Sequence, residues 1–260
     1  MTQNSYPPQQ SMQTGPQSFQ RPSFRQRFRR FPATFSLIGI TLVIYIAQEV
    51  SVLLFGFDLV ISLGAKINDA IYAGEVWRFI TPIFVHAGIW HIFINMYSLY
   101  ALGPTLEGFF GTPRMLVIYF FSGIISVSFS LAFSSSASVG ASGAIFGLLG
   151  SLGAFLFIHR DSLGHTGRAY LRQIVVVALL NLALGLAPNI DNWGHLGGLI
   201  AGIALTWFLG PRYEVTWIRS DEPTKLIERH PWNEVWVRIF PAAVMIFFLA
   251  YLAIMSPFVK

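Results

Sequence analysis

Long apolar segments recur along this chain, and they constrain its fold more than any other feature of the sequence. Several reach the roughly 20 residues that an α-helix needs to cross a bilayer. Charged residues make up 11% of the 260 residues and hydrophobic residues 54%, whereas a soluble domain carries about 25% charged residues. The alternation typical of a β-barrel is absent. We therefore predict an all-α polytopic membrane protein.

Polar residues, prolines and glycines divide the apolar sequence into seven candidate transmembrane helices. They cover residues 33–54, 88–104, 114–133, 142–158, 172–187, 193–209 and 237–256. Residues 55–87 are too polar and too broken for a simple span, so we expect a long loop with amphipathic pieces. The chain then divides into a disordered tail over 1–32, a six-helix core over 33–210, a linker over 211–236 and a seventh transmembrane helix over 237–257.

The distribution of basic residues predicts the orientation. All but three of the 17 Lys and Arg residues fall on one side of the predicted spans, the exceptions being Lys66, Arg78 and Lys260. The positive-inside rule then places the N-terminus in the cytoplasm and the C-terminus outside. Basic loops also favour anionic lipid, so the net charge of +5 requires no nucleic acid as a partner. We expect an integral, multi-pass protein of a prokaryotic plasma (inner) membrane, with its first apolar helix retained because no small-residue cleavage site follows it.

Polar residues stand at the starts of three spans that all begin on the predicted outer side. His91 and Asn95 lie in the first turns of the second span, Ser142 starts the fourth, and His195 starts the sixth. Because these segments are far apart in sequence, their shared depth near one surface predicts a common site.

Serine and histidine at one depth indicate nucleophilic catalysis. A serine hydroxyl is a poor nucleophile until a base removes its proton, and His195 is the suitable base at the start of the sixth span. Small residues at four-residue spacing in both spans would let the two helices approach closely. Free backbone N–H groups at the helix start, with His91 and Asn95 on one helical face, are candidate donors to an oxyanion. These four residues are the predicted catalytic set.

Simpler interpretations exist for each of these residues. Ser142 would serve as a small packing residue, His195 as an interfacial side chain, and His91 with Asn95 as hydrogen-bonding contacts between helices. Asp191, four residues before His195, suggests a third catalytic member, but the favoured interpretation is that Asp191 or Asn192 caps the sixth span.

With these residues assembled, the chain strongly resembles the rhomboid family of intramembrane serine proteases. The segments that carry the resemblance are "EVWRFITPIFVHAGIWHIFIN" with His86, His91 and Asn95, "GASGAIFG" with Ser142, and "GHLGGLIAG" with His195. They fall in order over about residues 33–210, and the seventh helix lies outside this shared six-helix core.

The resemblance implies a Ser-His dyad protease that cleaves single-span membrane proteins near the outer face. It implies Ser142 as nucleophile, His195 as base, and His91, Asn95 and the Ser142 backbone N–H as oxyanion donors. Phe146 stands where relatives often have tyrosine, so its ring would pack on His195 without donating a hydrogen bond.

No cofactor or metal is expected. The sequence contains no cysteine, which excludes a disulfide framework and a thiolate metal site, and the His-Glu-x-x-His motif of many metalloproteases is missing. The remaining alternatives are a rhomboid-like pseudoprotease that binds membrane clients and a transporter with polar residues in mid-membrane.

Overall fold

The structure, a computed structural model, describes residues 23–188, 190–216 and 225–255. Most of the predicted tail, and residues 256–260 at the C-terminus, lie outside this described part. In chain order the helices are α1 (Phe24–Arg30), α2 (Pro32–Phe55), α3 (Leu59–Gly64), α4 (Asn68–Tyr72), α5 (Ile89–Phe110), α6 (Thr112–Phe133), α7 (Ser142–Ile158), α8 (Gly164–Leu184), α9 (Asn192–Leu209), α10 (Trp232–Val235) and α11 (Ile239–Met255).

Among the described residues, seven long helices lie over the seven predicted spans, so the all-α polytopic fold is confirmed. By length and composition, four helical segments of the described residues qualify as membrane spans: Pro32–Phe55, Thr112–Phe133, Gly164–Leu184 and Trp232–Met255. The apolar helix α7 is shorter. It is buried along most of its length, and α5, α6, α8 and α9 pack around it.

Two predicted boundaries differ from the observed helices. The second span, expected to end near residue 104, continues as α5 to Phe110 with Pro104 inside the helix. Glu107 holds this extension in place, because its carboxylate accepts hydrogen bonds from the N–H groups of Ala33 and Thr34 at the start of α2. The fifth span begins eight residues earlier than predicted, since α8 starts at Gly164.

The end of the predicted disordered tail is helical instead. Residues Phe24–Arg30 form α1, which begins with a capping box between Ser23 and Gln26. Phe24 packs edge-on against Phe35 of α2, with ring centroids 5.5 Å apart. Capping and aromatic packing therefore order a segment whose composition alone favours disorder.

The predicted amphipathic pieces of the long loop are present as α3, α4 and two 3₁₀ turns, Val76–Phe79 and Thr81–Ile83. Arg78 is buried and pairs with Glu75 at 2.6 Å, while its guanidinium also donates to the carbonyl oxygens of Ala65 and Ser62. The loop is therefore a folded element, stabilised by the ion pair and hydrogen bonds of the buried Arg78 guanidinium.

The predicted linker also contains ordered structure. Strands β1 (Tyr213–Thr216) and β2 (Lys225–Glu228) form an antiparallel hairpin in which Tyr213 pairs with Glu228. Arg114, buried at the start of α6, forms an ion pair with Glu228 at 2.7 Å. The hairpin is thus attached to the helical core at the end opposite Ser142, just before the chain enters α11.

Helix α11 packs against α6 and α9. Its small and branched residues Ala242, Ile246, Ala250 and Ala253 are buried, and Ile246 shares a hydrophobic cluster with Ile125 and Ala201. The seventh helix therefore adds to the side of the six-helix core and leaves α7 in its centre.

Candidate active site

Ser142 and His195 meet at one end of the helical core. Nε2 of His195 lies 2.9 Å from Oγ of Ser142, within hydrogen-bond distance. Ser142 is the first residue of α7 and His195 lies in the first turn of α9. The structure therefore brings together the two residues that the sequence predicted as nucleophile and base.

Glycines allow α7 and α9 to approach closely enough for this contact. A Cβ atom on Gly198 would lie 2.0 Å from the carbonyl oxygen of Gly143, and one on Gly202 would lie 1.8 Å from that of Gly147. No larger residue fits at either position unless the helices separate. The predicted small-residue packing is present, with glycines of α9 lying directly against the backbone of α7.

The side-chain position of Gly143, the glycine after Ser142, lies against α6 and not against α9. A Cβ at this position would lie 1.9 Å from Oγ of Ser126 on α6, whereas the nearest atom of α9 would be 3.7 Å away. Gly143 therefore makes room for α6. The glycine of α7 whose side-chain position lies against α9 is Gly150, where a Cβ would be 2.4 Å from the carbonyl oxygen of Leu199.

The imidazole of His195 is held on its face by Phe146. The two rings stack with centroids 4.4 Å apart and planes 14° from parallel. Nδ1 of His195 has no hydrogen-bond partner among the described residues. Asp191 caps α9 instead, since its carboxylate accepts from the N–H of Gly194 at 2.9 Å. The favoured interpretation of Asp191 as a helix cap agrees with this geometry.

Three backbone N–H groups at the start of α7 point out of the helix without intrahelical partners, because the first helical hydrogen bond is donated by Ile145 to the carbonyl of Ala141. They belong to Ser142, Gly143 and Ala144. A helix N-terminus of this kind favours negative charge. The nucleophile thus stands beside backbone donors suited to an oxyanion.

His91 reaches the turn in front of Ser142, whereas the amide of Asn95 is engaged elsewhere. A Cβ on Gly140 would lie 2.7 Å from Nε2 of His91, and Gly140 has a φ of 115°, which favours glycine. Nδ2 of Asn95 donates to the carbonyl of His91 one turn earlier, at 2.9 Å. In this conformation Asn95 therefore supports the His91 turn.

His86 and Gln48 support the same turn, although nothing in the sequence predicted a role for Gln48. Nε2 of His86 accepts from the N–H of Ala141 at 3.4 Å, while Nδ1 lies 3.2 Å from the carbonyl of Phe84. The side chain of Gln48 bonds both backbone polar groups of His86, donating at 2.9 Å and accepting at 3.0 Å. Burial lowers the pKa of His86 to about 4, so the ring is neutral and keeps Nε2 as an acceptor.

Lys66 is a second supporting residue that the sequence did not single out. Its side chain is fully buried, and Nζ donates to the carbonyl oxygens of Ser134 and Ser136, both at 2.9 Å, and of Ser130 at 3.3 Å. Its backbone pairs with Ser138. Lys66 thus fixes the serine-rich loop that leads into Ser142. The sequence signal for this role is limited to the position of a lysine within the long loop of residues 55–87.

A small cavity of about 20 Å³ adjoins the Ser142 and His195 side chains. It is lined in part by Ser126, Ser138 and Asp191. A polar cavity of this volume holds about one water molecule, whereas an extended peptide is much larger. Among the described residues, no group of three His, Asp or Glu side chains could hold a metal ion.

Comparison with known families decides the classification. The Rhomboid domain family matches residues 73–212, which is more than half of the chain and includes all four predicted catalytic residues. This chain belongs to the rhomboid family. The predicted resemblance is therefore confirmed.

Curated rhomboid proteins from distant organisms are similar to this chain. Rhomboid protease GluP of Bacillus subtilis is 37% identical over 178 residues, which cover 68% of this chain and 34% of GluP. RHOMBOID-like protein 1 of Arabidopsis thaliana is 38% identical over 150 residues, which cover 56% of this chain and 38% of that protein. Rhomboid-like protease 3 of Toxoplasma gondii is 35% identical over 154 residues, which cover 58% of this chain and 59% of that protein. The chain spans about a third of the length of the first two relatives.

Proposed function

We propose that this chain is a serine endopeptidase that cleaves transmembrane segments of single-span membrane proteins within the bilayer, near the outer face. The observation that carries the proposal is the 2.9 Å contact between His195 Nε2 and Ser142 Oγ. Membership of a family that includes named proteases supports it. A pseudoprotease would typically lack one of these residues, whereas both are present and in contact.

In the proposed reaction Ser142 Oγ attacks the carbonyl carbon of the scissile peptide bond while Nε2 of His195 accepts the hydroxyl proton. A new C–O bond forms, and the carbonyl oxygen becomes an oxyanion beside the N-terminus of α7. His195 then donates its proton to the leaving amine as the C–N bond breaks. Water hydrolyses the resulting acyl-enzyme, with His195 again acting as base.

The oxyanion would be stabilised by the backbone N–H of Ser142 and by the side chains of His91 and Asn95. The N–H groups of α7 are already oriented for this role, because no carbonyl of the helix accepts from them. Asn95 would have to exchange its bond to the His91 carbonyl for one to the substrate. Because the cavity at the dyad accommodates only about one water, substrate must enter by displacing part of the surrounding structure.

The proposed orientation follows the basic residues. The arginines of α1, the start of α6 and the linker lie at the end opposite Ser142, and the positive-inside rule assigns that end to the cytoplasm. The site then opens near the outer surface of a prokaryotic plasma membrane. Water reaches Ser142 there, while the substrate remains in lipid.

The test is labelling of the detergent-solubilised chain with a fluorophosphonate probe, followed by cleavage of a single-span reporter protein in proteoliposomes. We expect labelling of Ser142, and loss of cleavage in Ser142→Ala and His195→Ala. Ser135→Ala, in an exposed part of the preceding loop, and His165→Ala, at the opposite end, are matched controls that should cleave normally. Cleavage at wild-type rates by either dyad variant would contradict the proposal.

A further inference from the structure

An open groove of about 490 Å³ is lined by residues of α1, α2 and α5, and neither Ser142 nor His195 lines it. One face of α5 forms its length, with Phe93, Met96, Tyr97 and Tyr100 at the helical spacing i, i+3, i+4 and i+7. At roughly 30 Å³ for a group of water or methylene size, this volume accommodates about sixteen such groups. The groove therefore has the volume of one long acyl chain.

Helix α1 closes one end of the groove and places a cation there. The guanidinium of Arg27 lies over the ring of Tyr100, 4.8 Å from its centroid, and its Nη1 donates to the Tyr100 hydroxyl. Phe24 lines the same end and packs on Phe35. Since Arg27 lines the groove, the closed end is both apolar and positively charged.

The charge at this end is not neutralised within the described part of the chain. Arg25, Arg27, Arg29 and Arg30 all lie on α1, and none of them has a carboxylate within ion-pair distance among the described residues. Helix α1 contains no acidic residue. The groove thus lacks a counter-ion of its own.

We propose that this groove binds one anionic phospholipid, with an acyl chain along α5 and the phosphate on Arg27. The planar guanidinium matches a phosphate group through paired N–H donors, and Nη1 is the only one of its donors engaged by a side chain in the described structure. The neighbouring arginines add electrostatic attraction to an anionic headgroup.

The charge argues against a second copy of this chain as the occupant. A symmetric dimer through this groove would bring two arginine-rich α1 helices towards each other, and their like charges would repel. An anionic lipid satisfies both the apolar wall and the positive end. The inference is independent of the proposed protease activity, because it concerns neither Ser142 nor His195.

The experiment is native mass spectrometry of the full chain in detergent, titrated with phosphatidylglycerol, with phosphatidylcholine of the same acyl chains, or with glycerophosphate lacking chains. We expect one phosphatidylglycerol to bind with a Kd about tenfold lower than that of phosphatidylcholine, a preference worth about 1.4 kcal/mol. Arg27→Gln should abolish the preference. Arg168→Gln, which changes an exposed arginine in the second turn of α8, is the matched control and should keep it.

Equal binding of the two lipids would overturn the proposal, since the groove would then be ordinary lipid-facing surface. Phosphatidylglycerol binding that is unchanged in Arg27→Gln would overturn it as well. Glycerophosphate binding as tight as that of the lipid would mean a free-phosphate site rather than a lipid site. Dimers that persist on dilution and are lost in Phe93→Ala would identify a second copy as the occupant.

Discussion

The ring of Phe146 lies parallel to the imidazole of His195, with 4.4 Å between centroids. This contact joins the second turn of α7, which begins with the nucleophile, to the first turn of α9, which supplies the base. Nδ1 of His195 has no hydrogen-bond partner among the described residues, so the orientation of the imidazole rests on the stacked ring and on the contact of Nε2 with Ser142.

Replacing this flat ring should therefore slow catalysis without unfolding the protein. In Phe146→Leu we expect kcat for the reporter protein to fall about tenfold, since an aromatic contact contributes about 0.5–1.5 kcal/mol beyond its buried area. Phe146→Tyr, which keeps the ring, should stay close to wild type. Phe157→Leu, at an exposed position on the same helix, is the matched control. An unchanged kcat in Phe146→Leu would show that the imidazole is positioned by other contacts.

A dyad predicts that the carboxylate of Asp191 is dispensable for chemistry. Asp191 accepts the Gly194 N–H as the cap of α9, and asparagine caps helices about as well as aspartate. Asp191→Asn should therefore retain kcat within a few-fold. A drop of about 10⁴-fold, the scale seen when a triad carboxylate is neutralised, would instead make Asp191 a third catalytic member.

The close packing of α7 and α9 should make their glycines intolerant of a single methyl group. Gly198→Ala and Gly202→Ala place Cβ within 2.0 Å of backbone oxygens of α7, so the helices must move apart. We expect the free energy of unfolding to fall by about 1–3 kcal/mol, the usual cost of overpacking. It would be measured as a lower apparent Tm in detergent, together with loss of activity.

Gly39→Ala is the control for this pair. Gly39 is also helical, and nothing lies within 4 Å of its would-be Cβ. Its replacement should leave stability unchanged or raise it by up to about 1 kcal/mol through helix propensity. Equal Tm values for all three variants would contradict the packing argument.

Glu107 should contribute strongly to stability and not to chemistry. Its carboxylate accepts from two backbone N–H groups and from the hydroxyls of Thr34 and Thr112, far from Ser142. Glu107→Ala leaves these buried donors without an acceptor, at a cost of about 3 kcal/mol. The apparent Tm should fall accordingly. Glu234→Ala, at an exposed position, should have no effect, and a similar Tm for both variants would contradict this role.

Lys66 should make the stability of the folded protein depend on pH. Burial lowers the pKa of Lys66 from 10.5 to about 8 in the folded protein. Between these values the unfolded chain binds the proton and the folded chain releases it, so this residue adds stability as pH rises from about 8 to 10.5 and loses it as pH falls through 8. The Tm of the wild type should therefore rise relative to that of Lys66→Met across this window. A constant difference would show an unshifted pKa.

The sequence was sufficient for features that depend on local composition and spacing. Apolar runs of membrane length gave the seven long helices, because each such helix must satisfy its own backbone hydrogen bonds in lipid. The same spacing placed Ser142 and His195 at helix starts on one side of the membrane. The glycine repeats indicated that their helices approach closely. Helix ends were less accurate, since tertiary contacts such as those of Glu107 extend a helix beyond a proline that would otherwise end it.

Contacts between distant segments were decided only by the tertiary structure. Nothing local distinguishes Lys66 or Gln48 as supports of the Ser142 turn, or makes the arginine-rich segment before α2 fold onto α5, because their partners are 35 or more residues away in sequence. The sequence by itself thus determined the helices, the family and the reactive residue types. The distances between those residues, and the grooves that surround them, depend on close packing, which is fixed only when all the helices are in place.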